Sequence, residues 1–259
     1  MNDAAMIVLA RSAAHYDPKL TSFEQDMFKK VTGAFSRVAL VIAAPGYMEL
    51  PPEARNCGAI VFLGLAGQEA GYALADVVSG KVCPSGKLSF SWPETLESFG
   101  LAAQQLDGFF GYRYFDTYGG SVLYPFGYGL SYAKFTFSDL TLSETSLPAG
   151  EGLRATVTVQ NESGIPAATP VEFYVRDEEA STRVPHFSLC AFDRVELAPG
   201  ESRTVTVEIA PRALCLVTED GEVVEESGDF TLFAGASAPD ARSVTLTGAE
   251  PLRAAFRVI

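Results

Sequence analysis

Cysteine is scarce and badly placed for metal chemistry. The four present, Cys57, Cys83, Cys190 and Cys215, form no CxxC or CxxH spacing, so neither a zinc nor a haem signature exists. They read as buried thiols in a reducing compartment. Cys190 and Cys215 both lie in apolar, strand-like stretches, and sequence leaves their proximity open. Long apolar runs are also missing. None reaches the ~20 residues that a membrane-spanning helix needs. The first residues, MNDAAMIVLARS, lack the basic region and cleavage site of a secretory signal, so the expected location is cytoplasmic. Basic residues are few as well. Nineteen Lys and Arg against 32 Asp and Glu give a net charge of −13. That argues against nucleic acid backbones and anionic membranes and suits neutral ligands, sugars among them.

Two further absences remove common enzyme classes. The one serine in a glycine-flanked turn, Ser85 in CPSGK, lacks the GxSxG elbow and any nearby histidine. Lys87 after Gly86 fails the phosphate-loop pattern at its first glycine and at the residue after lysine. No metal and no cofactor is expected.

What is present is a foldable chain. A hydrophobic content of 47% with 20% charged residues excludes a largely disordered polypeptide, and 259 residues can hold two modest domains. Ala5 to Ala10 is an apolar run that suits a strand buried on both faces. Arg11 to Pro18 is the loop at its carboxyl end, where open α/β sheets place ligands. Thr21 or Ser22 can cap the next helix, with Glu24 or Gln25 completing a capping box. Phe23, Met27, Val31 and Phe35 supply that helix's expected buried stripe. Val38 to Ala43 and Ala59 to Leu63 are two more apolar strands. From Gly64 to Lys87 the chain reads as glycine turn, short helix, glycine stop and second turn, before an alternating strand from Leu88 to Trp92. Asp76 is a helical position suited to a structural hydrogen bond. This order of elements implies a parallel sheet.

From about Phe135 the period changes to two. FTFSDLTLS, LRATVTVQN, PVEFYVRD, SRTVTVEIA and DFTLFAGAS alternate apolar with polar between Gly and Pro turns, which means an antiparallel sandwich. Between the two halves lies a stretch rich in glycine and aromatics, including Phe109, Tyr112, Tyr114, Phe115, Tyr124 and Phe126. Its rings suit either sugar stacking or gluing domains together, and the gluing account is preferred. Arg113 and Asp116 are then expected as a structural ion pair or a turn cap. The expected organisation is a partial α/β domain over 1–98, a connector over 99–134 and a β-sandwich over 135–259.

The ordered motifs GxxGQExG, ALADVVSG, PSGKL and WP, with Gly111 to Asp116 and Tyr124 to Tyr132, resemble the C-terminal half of glycoside hydrolase family 3, the β-glucosidase-type enzymes. The second half is similar to that family's fibronectin type III-like module at Phe192 to Leu197, Pro199 to Ser202 and Ser227 to Phe230. The resemblance implies hydrolysis of β-glucoside-type O-glycosyl bonds by two carboxyl groups about 5 Å apart. It places the nucleophilic aspartate on a barrel domain that these residues do not include. It places the acid/base glutamate in a loop matching Ala10 to Asp17, where Ala14 or His15 falls at the glutamate. His15 and Asp17 are therefore the candidate catalytic residues, and Arg11 and Tyr16 the candidate substrate contacts. Set against this, His15 reads as an exposed histidine and Asp17 as a turn cap. His186 matches a surface loop of the sandwich.

The expectation is a portion of a β-glycosidase that is not competent alone. The alternative is a non-catalytic carbohydrate-binding or assembly module. Its partners would be a carbohydrate, together with a barrel-bearing chain or a second copy that covers the incomplete sheet edge.

Overall fold

The computed structural model describes residues 3–104 and 109–259, with side chains outside 101–104. The described chain separates into two units. One takes the residues up to Val82 with Glu94–Glu97, and the other takes Cys83–Pro93 with the chain from Ser98 to Ile259. The expected connector thus groups with the sandwich, and its residues 105–108 lie outside the described set.

In the first unit, β1 (Ala4–Ala10), β2 (Arg37–Ala43) and β3 (Ala59–Phe62) form a parallel sheet in the order β1-β2-β3. β2, the middle strand, buries Val38, Leu40, Val41 and Ile42. β1 corrects the expectation of burial on both faces. Ile7 and Leu9 are buried, whereas Met6 and Val8 on the opposite face are 45% and 53% exposed. The reason is its place at the sheet edge with one face covered.

Helix α1 (Ser22–Ala34) begins with a capping box. The Glu24 amide donates to Thr21 Oγ1 at 3.3 Å and the Thr21 amide donates to Glu24 Oε2 at 2.8 Å. Its expected stripe holds at Met27, Val31 and Phe35, each half-buried, and fails at Phe23, which is 77% exposed; the one fully buried residue is Phe28, with Glu24 half-buried on the same side. Helix α2 (Ala70–Val78) stops as expected at Gly80, which adopts a φ of +77°. None of its residues is buried. Asp76 pairs with Lys81 at 2.9 Å.

The expected strand from Leu88 to Trp92 shrinks to β4 (Trp92–Pro93), which pairs with β5 (Val122–Tyr124). Leu88 instead exchanges backbone hydrogen bonds with the 127–128 turn: its amide donates to Tyr128 O at 3.0 Å, and the Gly127 amide donates to Leu88 O at 2.8 Å. Helices α3 (Leu96–Gln104) and α4 (Tyr112–Tyr118) lie before and after residues 105–108 in the chain. Next come β6 (Phe135–Leu142), β7 (Ser146–Leu147), β8 (Leu153–Asn161), β9 (Ala167–Asp177), β10 (Ser188–Leu197) and β11 (Ser202–Ile209). They are followed by β12 (Leu216–Val217), β13 (Val223–Val224), β14 (Gly228–Gly235), α5 (Ala241–Thr247) and β15 (Leu252–Val258).

Two sheets, ordered β10-β9-β14-β15-β7 and β11-β8-β6, face each other as the predicted sandwich. Alternate residues such as Val157, Val159, Val171, Phe173, Leu197, Ile209, Leu232 and Phe256 fill the core. Each side chain of this kind contributes roughly 1.5–3 kcal/mol by leaving water.

β9 departs from simple alternation, being buried on both faces. Its outer residues Glu172 and Tyr174 lie under the connector. The Tyr174 hydroxyl donates to Glu172 Oε2 at 2.6 Å. Tyr112 packs on Phe126 at 4.6 Å and edge-on to Tyr174 at 6.4 Å, while its hydroxyl accepts from the Leu189 amide at 2.9 Å. Lys87 joins the same layer, its ammonium donating to Gly129 O. Burial raises the pKa of Glu172 and lowers that of Lys87, and each partly offsets the other's shift. On the sandwich side, then, the connector's rings act as packing.

Arg113 and Asp116 do not make the expected ion pair. Among the described residues, Arg113 Nε and Asp116 Oδ2 are buried without hydrogen-bond partners. Burial and the neighbouring Asp240 carboxylate push the Asp116 carboxyl up to about 8, so it resists ionisation.

Gly127 is the closest point of this layer. Its φ is +75°, and a Cβ there would collide with Glu172 Oε2 and lie 3.0 Å from Ser237 Cα. Gly127→Ala should cost about 3 kcal/mol, read as a lower urea midpoint. Gly221→Ala, at φ +82° in open space, should cost only the ~1–2 kcal/mol of a left-handed non-glycine residue.

Candidate functional site

The loop between β1 and α1 carries every candidate residue. It leaves the sheet where the Arg11 amide donates to Ala43 O at 2.9 Å, and it makes one 3-10 turn over Ala13–His15. Arg11 holds it together. Its Nη1 and Nη2 donate to Glu24 Oε1 and Oε2 at 2.8 and 2.9 Å, a bidentate pair that leaves both side chains largely buried. Nε reaches Asp17 O at 3.1 Å, Nη1 also reaches Ala10 O at 3.0 Å, and Nη2 reaches Lys19 O at 3.2 Å. Every guanidinium nitrogen is thus committed to the protein.

The remaining candidates do not converge. His15 is exposed, and its Nδ1 lies 3.5 Å from Ser12 Oγ. Asp17 is exposed and caps the turn, Oδ1 accepting from the Lys19 amide at 2.9 Å. No His15–Asp17 hydrogen bond forms. Tyr16 is half-buried and donates its hydroxyl proton to Tyr47 O, and burial raises its pKa. Ala14 stands exposed on the 3-10 turn, with no side chain able to carry a proton. His186 lies on a sandwich loop, where its amide donates to Thr117 Oγ1 at 3.3 Å.

The residue that sequence reasoning used only as a cap is Glu24. Hydrogen bonding to Arg11 and Thr21 holds its carboxyl down at about 2, far below the range of a proton donor at neutral pH. The signal was available, because the helical face containing Phe28 also contains Glu24, directly after an arginine-led loop. Among the described residues, no group of three or more His, Cys, Asp or Glu side chains is gathered to hold a metal. No helix there is long and apolar enough to cross a membrane. All four cysteines are free and only partly buried, and desolvation pushes the Cys190 thiol up to about 12.

Comparison with known proteins places this architecture. The family model described as glycosyl hydrolase family 3 C-terminal domain matches residues 2–132. The chain belongs to glycoside hydrolase family 3. A second family model, fibronectin type III-like domain, matches residues 169–238 within the sandwich.

This family 3 chain is 36% identical over 239 residues to an exo-alpha-(1->6)-L-arabinopyranosidase of Bifidobacterium breve, covering 85% of the chain and 30% of that relative. It is also 36% identical over 209 residues to the thermostable beta-glucosidase B of Acetivibrio thermocellus, covering 75% of the chain and 28% of that relative. Among solved structures, beta-glucosidase 3B from Thermotoga neapolitana in complex with alpha-D-glucose superposes with a TM-score of 0.85 at 30% identity, over 99% of the chain and 38% of that protein. The chain therefore spans about a third or less of the length of the curated relatives it matches.

The Arg11–Glu24 pair makes loop order pH-dependent in a predictable sense. A folded carboxyl pKa held below its ordinary value of 4.5 gives stability that is present above 4.5 and lost as pH falls toward about 2. Thermal melts of the wild type and Glu24→Gln should therefore differ at pH 6, the variant melting lower, and converge near pH 2.

Proposed function

We propose that these residues are the C-terminal portion of a β-glycosidase acting on β-glucoside-type substrates, and that they are not competent for hydrolysis without a barrel-bearing polypeptide, joined or separate. The observation that carries this reading is the loop after β1. A retaining mechanism needs a protonated carboxyl group about 5 Å from a nucleophilic carboxylate. The loop offers an exposed Ala14 or His15 where the family's acid/base is expected and a turn-capping Asp17, and Glu24 in the first turn of α1 is held ionised by Arg11. Ala14 has no proton to give, the His15 ring meets Ser12 rather than Asp17, and Arg11 holds the Glu24 carboxyl far below neutral. The relatives' names, beta-glucosidase and arabinopyranosidase, support a glycoside as the substrate class.

The test is hydrolysis of 4-nitrophenyl β-D-glucoside by the purified chain. No turnover above the buffer rate is expected for the wild type or for Asp17→Ala. Turnover that Asp17→Ala abolishes would overturn the reading.

The same strand supports the partner half of the proposal. β1 is an edge strand with Met6 and Val8 exposed, an apolar face that a barrel-bearing polypeptide or a second copy would cover. Light scattering of the lone chain at high concentration should give a mass above 27.7 kDa, and replacing Met6 and Val8 by lysine should return it to the monomer value. A wild-type monomer at all concentrations would remove this second copy.

A further inference from the structure

The layer on the outer side of β9 brings two carboxyl groups together with no cation between them among the described residues. One is Asp116 on α4, whose Oδ2 is buried and has no hydrogen-bond partner there. The other is Asp240, which caps α5. Its Oδ1 accepts from the Ser243 amide and its Oδ2 from the Ser243 hydroxyl, both at 2.9 Å, so both oxygens are spent on that helix end. The two elements share one apolar cluster. Tyr112 of α4, Tyr174 of β9 and Ala238, two residues before Asp240, all belong to it. The Ala238 amide also donates to Phe126 O at 3.3 Å.

The charges that could relieve this meeting are committed elsewhere. Arg113, one turn before Asp116 on α4, keeps a buried Nε without a partner, and its guanidinium lies 5.9 Å over the Tyr112 ring. Arg242 of α5 gives Nε and Nη2 to Leu123 O at 3.2 Å. Lys87 donates to Gly129 O, and its field acts on Glu172. Tyr174 of β9 donates its hydroxyl proton to Glu172 Oε2. A buried carboxylate at Asp116 would therefore face Asp240 uncompensated.

We infer that Asp116 is a proton-held latch: with its proton on, α4 stays seated over β9 beside the Asp240 cap, and loss of that proton sets two carboxylates against each other and lifts α4. Burial first, and the Asp240 charge second, raise the folded Asp116 carboxyl from 3.8 to about 8. Seating α4 therefore takes up a proton between those values, and opening releases it. The opening equilibrium grows about tenfold per pH unit inside this window and levels off above it. Opening bares the packing of Tyr112 on Phe126 and Tyr174.

The test is native-state amide hydrogen exchange of the full chain at pH values of about 5, 6 and 7, inside that window, with each rate divided by its intrinsic value. The reporters are the Leu189 amide, which donates to the Tyr112 hydroxyl, and the Gly119 amide, which donates to Phe115 O. Their protection should fall about tenfold per pH unit and stay below that of the amides in the central strand β8 throughout. Asp116→Asn keeps the shape and removes the titrating proton, so it should flatten the slope. Asp240→Asn keeps the cap and removes the facing charge, so it should move the upper end of the window to lower pH. Glu172→Gln, which replaces the other buried carboxyl of the layer, should leave the slope in place. Protection independent of pH in the wild type, an unchanged slope in Asp116→Asn, or a slope lost in Glu172→Gln would overturn the inference. Reporter amides as protected as those of β8 would overturn it as well, because α4 would then open only with the whole unit.

Discussion

Strand β9 must hide both of its faces, and much of the larger unit follows from that constraint. Its inner face, with Val171, Phe173 and Val175, meets the sandwich core. Its outer face carries Glu172 and Tyr174, which no second sheet covers. A buried carboxylate needs partners or it must give up its charge. The Tyr174 hydroxyl and the Lys87 ammonium meet that need, and the missing side chain at Gly127 leaves room for the carboxylate. Tyr112 and Phe126 add the apolar cover. The segment from Cys83 to Pro93 therefore belongs with the sandwich, although its motif lies within the match to the family's C-terminal domain.

The smaller unit shows the same economy with charge. Arg11 and Glu24 satisfy each other in a bidentate pair, and Glu24 also closes the capping box of α1. This arrangement fixes the loop and simultaneously removes Glu24 from acid chemistry, because a carboxyl held at about 2 does not donate a proton at neutral pH. Ordering a loop and transferring a proton make opposite demands on a carboxyl group. Here the first demand is met.

The places where the pattern misled share one cause. The stripe through Phe23, Met27, Val31 and Phe35 has helical spacing, but Phe23 is exposed and Phe28 is buried instead, on the side where Glu24 meets Arg11. AMIVLA is apolar on both faces, but burial of a face depends on what packs there, and at the edge only Ile7 and Leu9 are covered. Leu88 to Trp92 alternates like a strand, but Leu88 finds its backbone partners in the turn at 127–128 rather than in a ladder.

Local pattern by itself determined the class of each half: continuous apolar runs with helical connections gave a parallel sheet, period-two alternation gave a sandwich, and the loop after β1 emerged as the place to look for chemistry. These features depend on neighbours within a few residues, where sequence and geometry are tightly coupled. Tertiary structure alone decided which charges are spent on the scaffold, which face of β1 stays bare, and that Asp116 comes to face Asp240. Those outcomes depend on groups distant in the chain, whose meeting is set by packing and by the need to satisfy each buried polar atom.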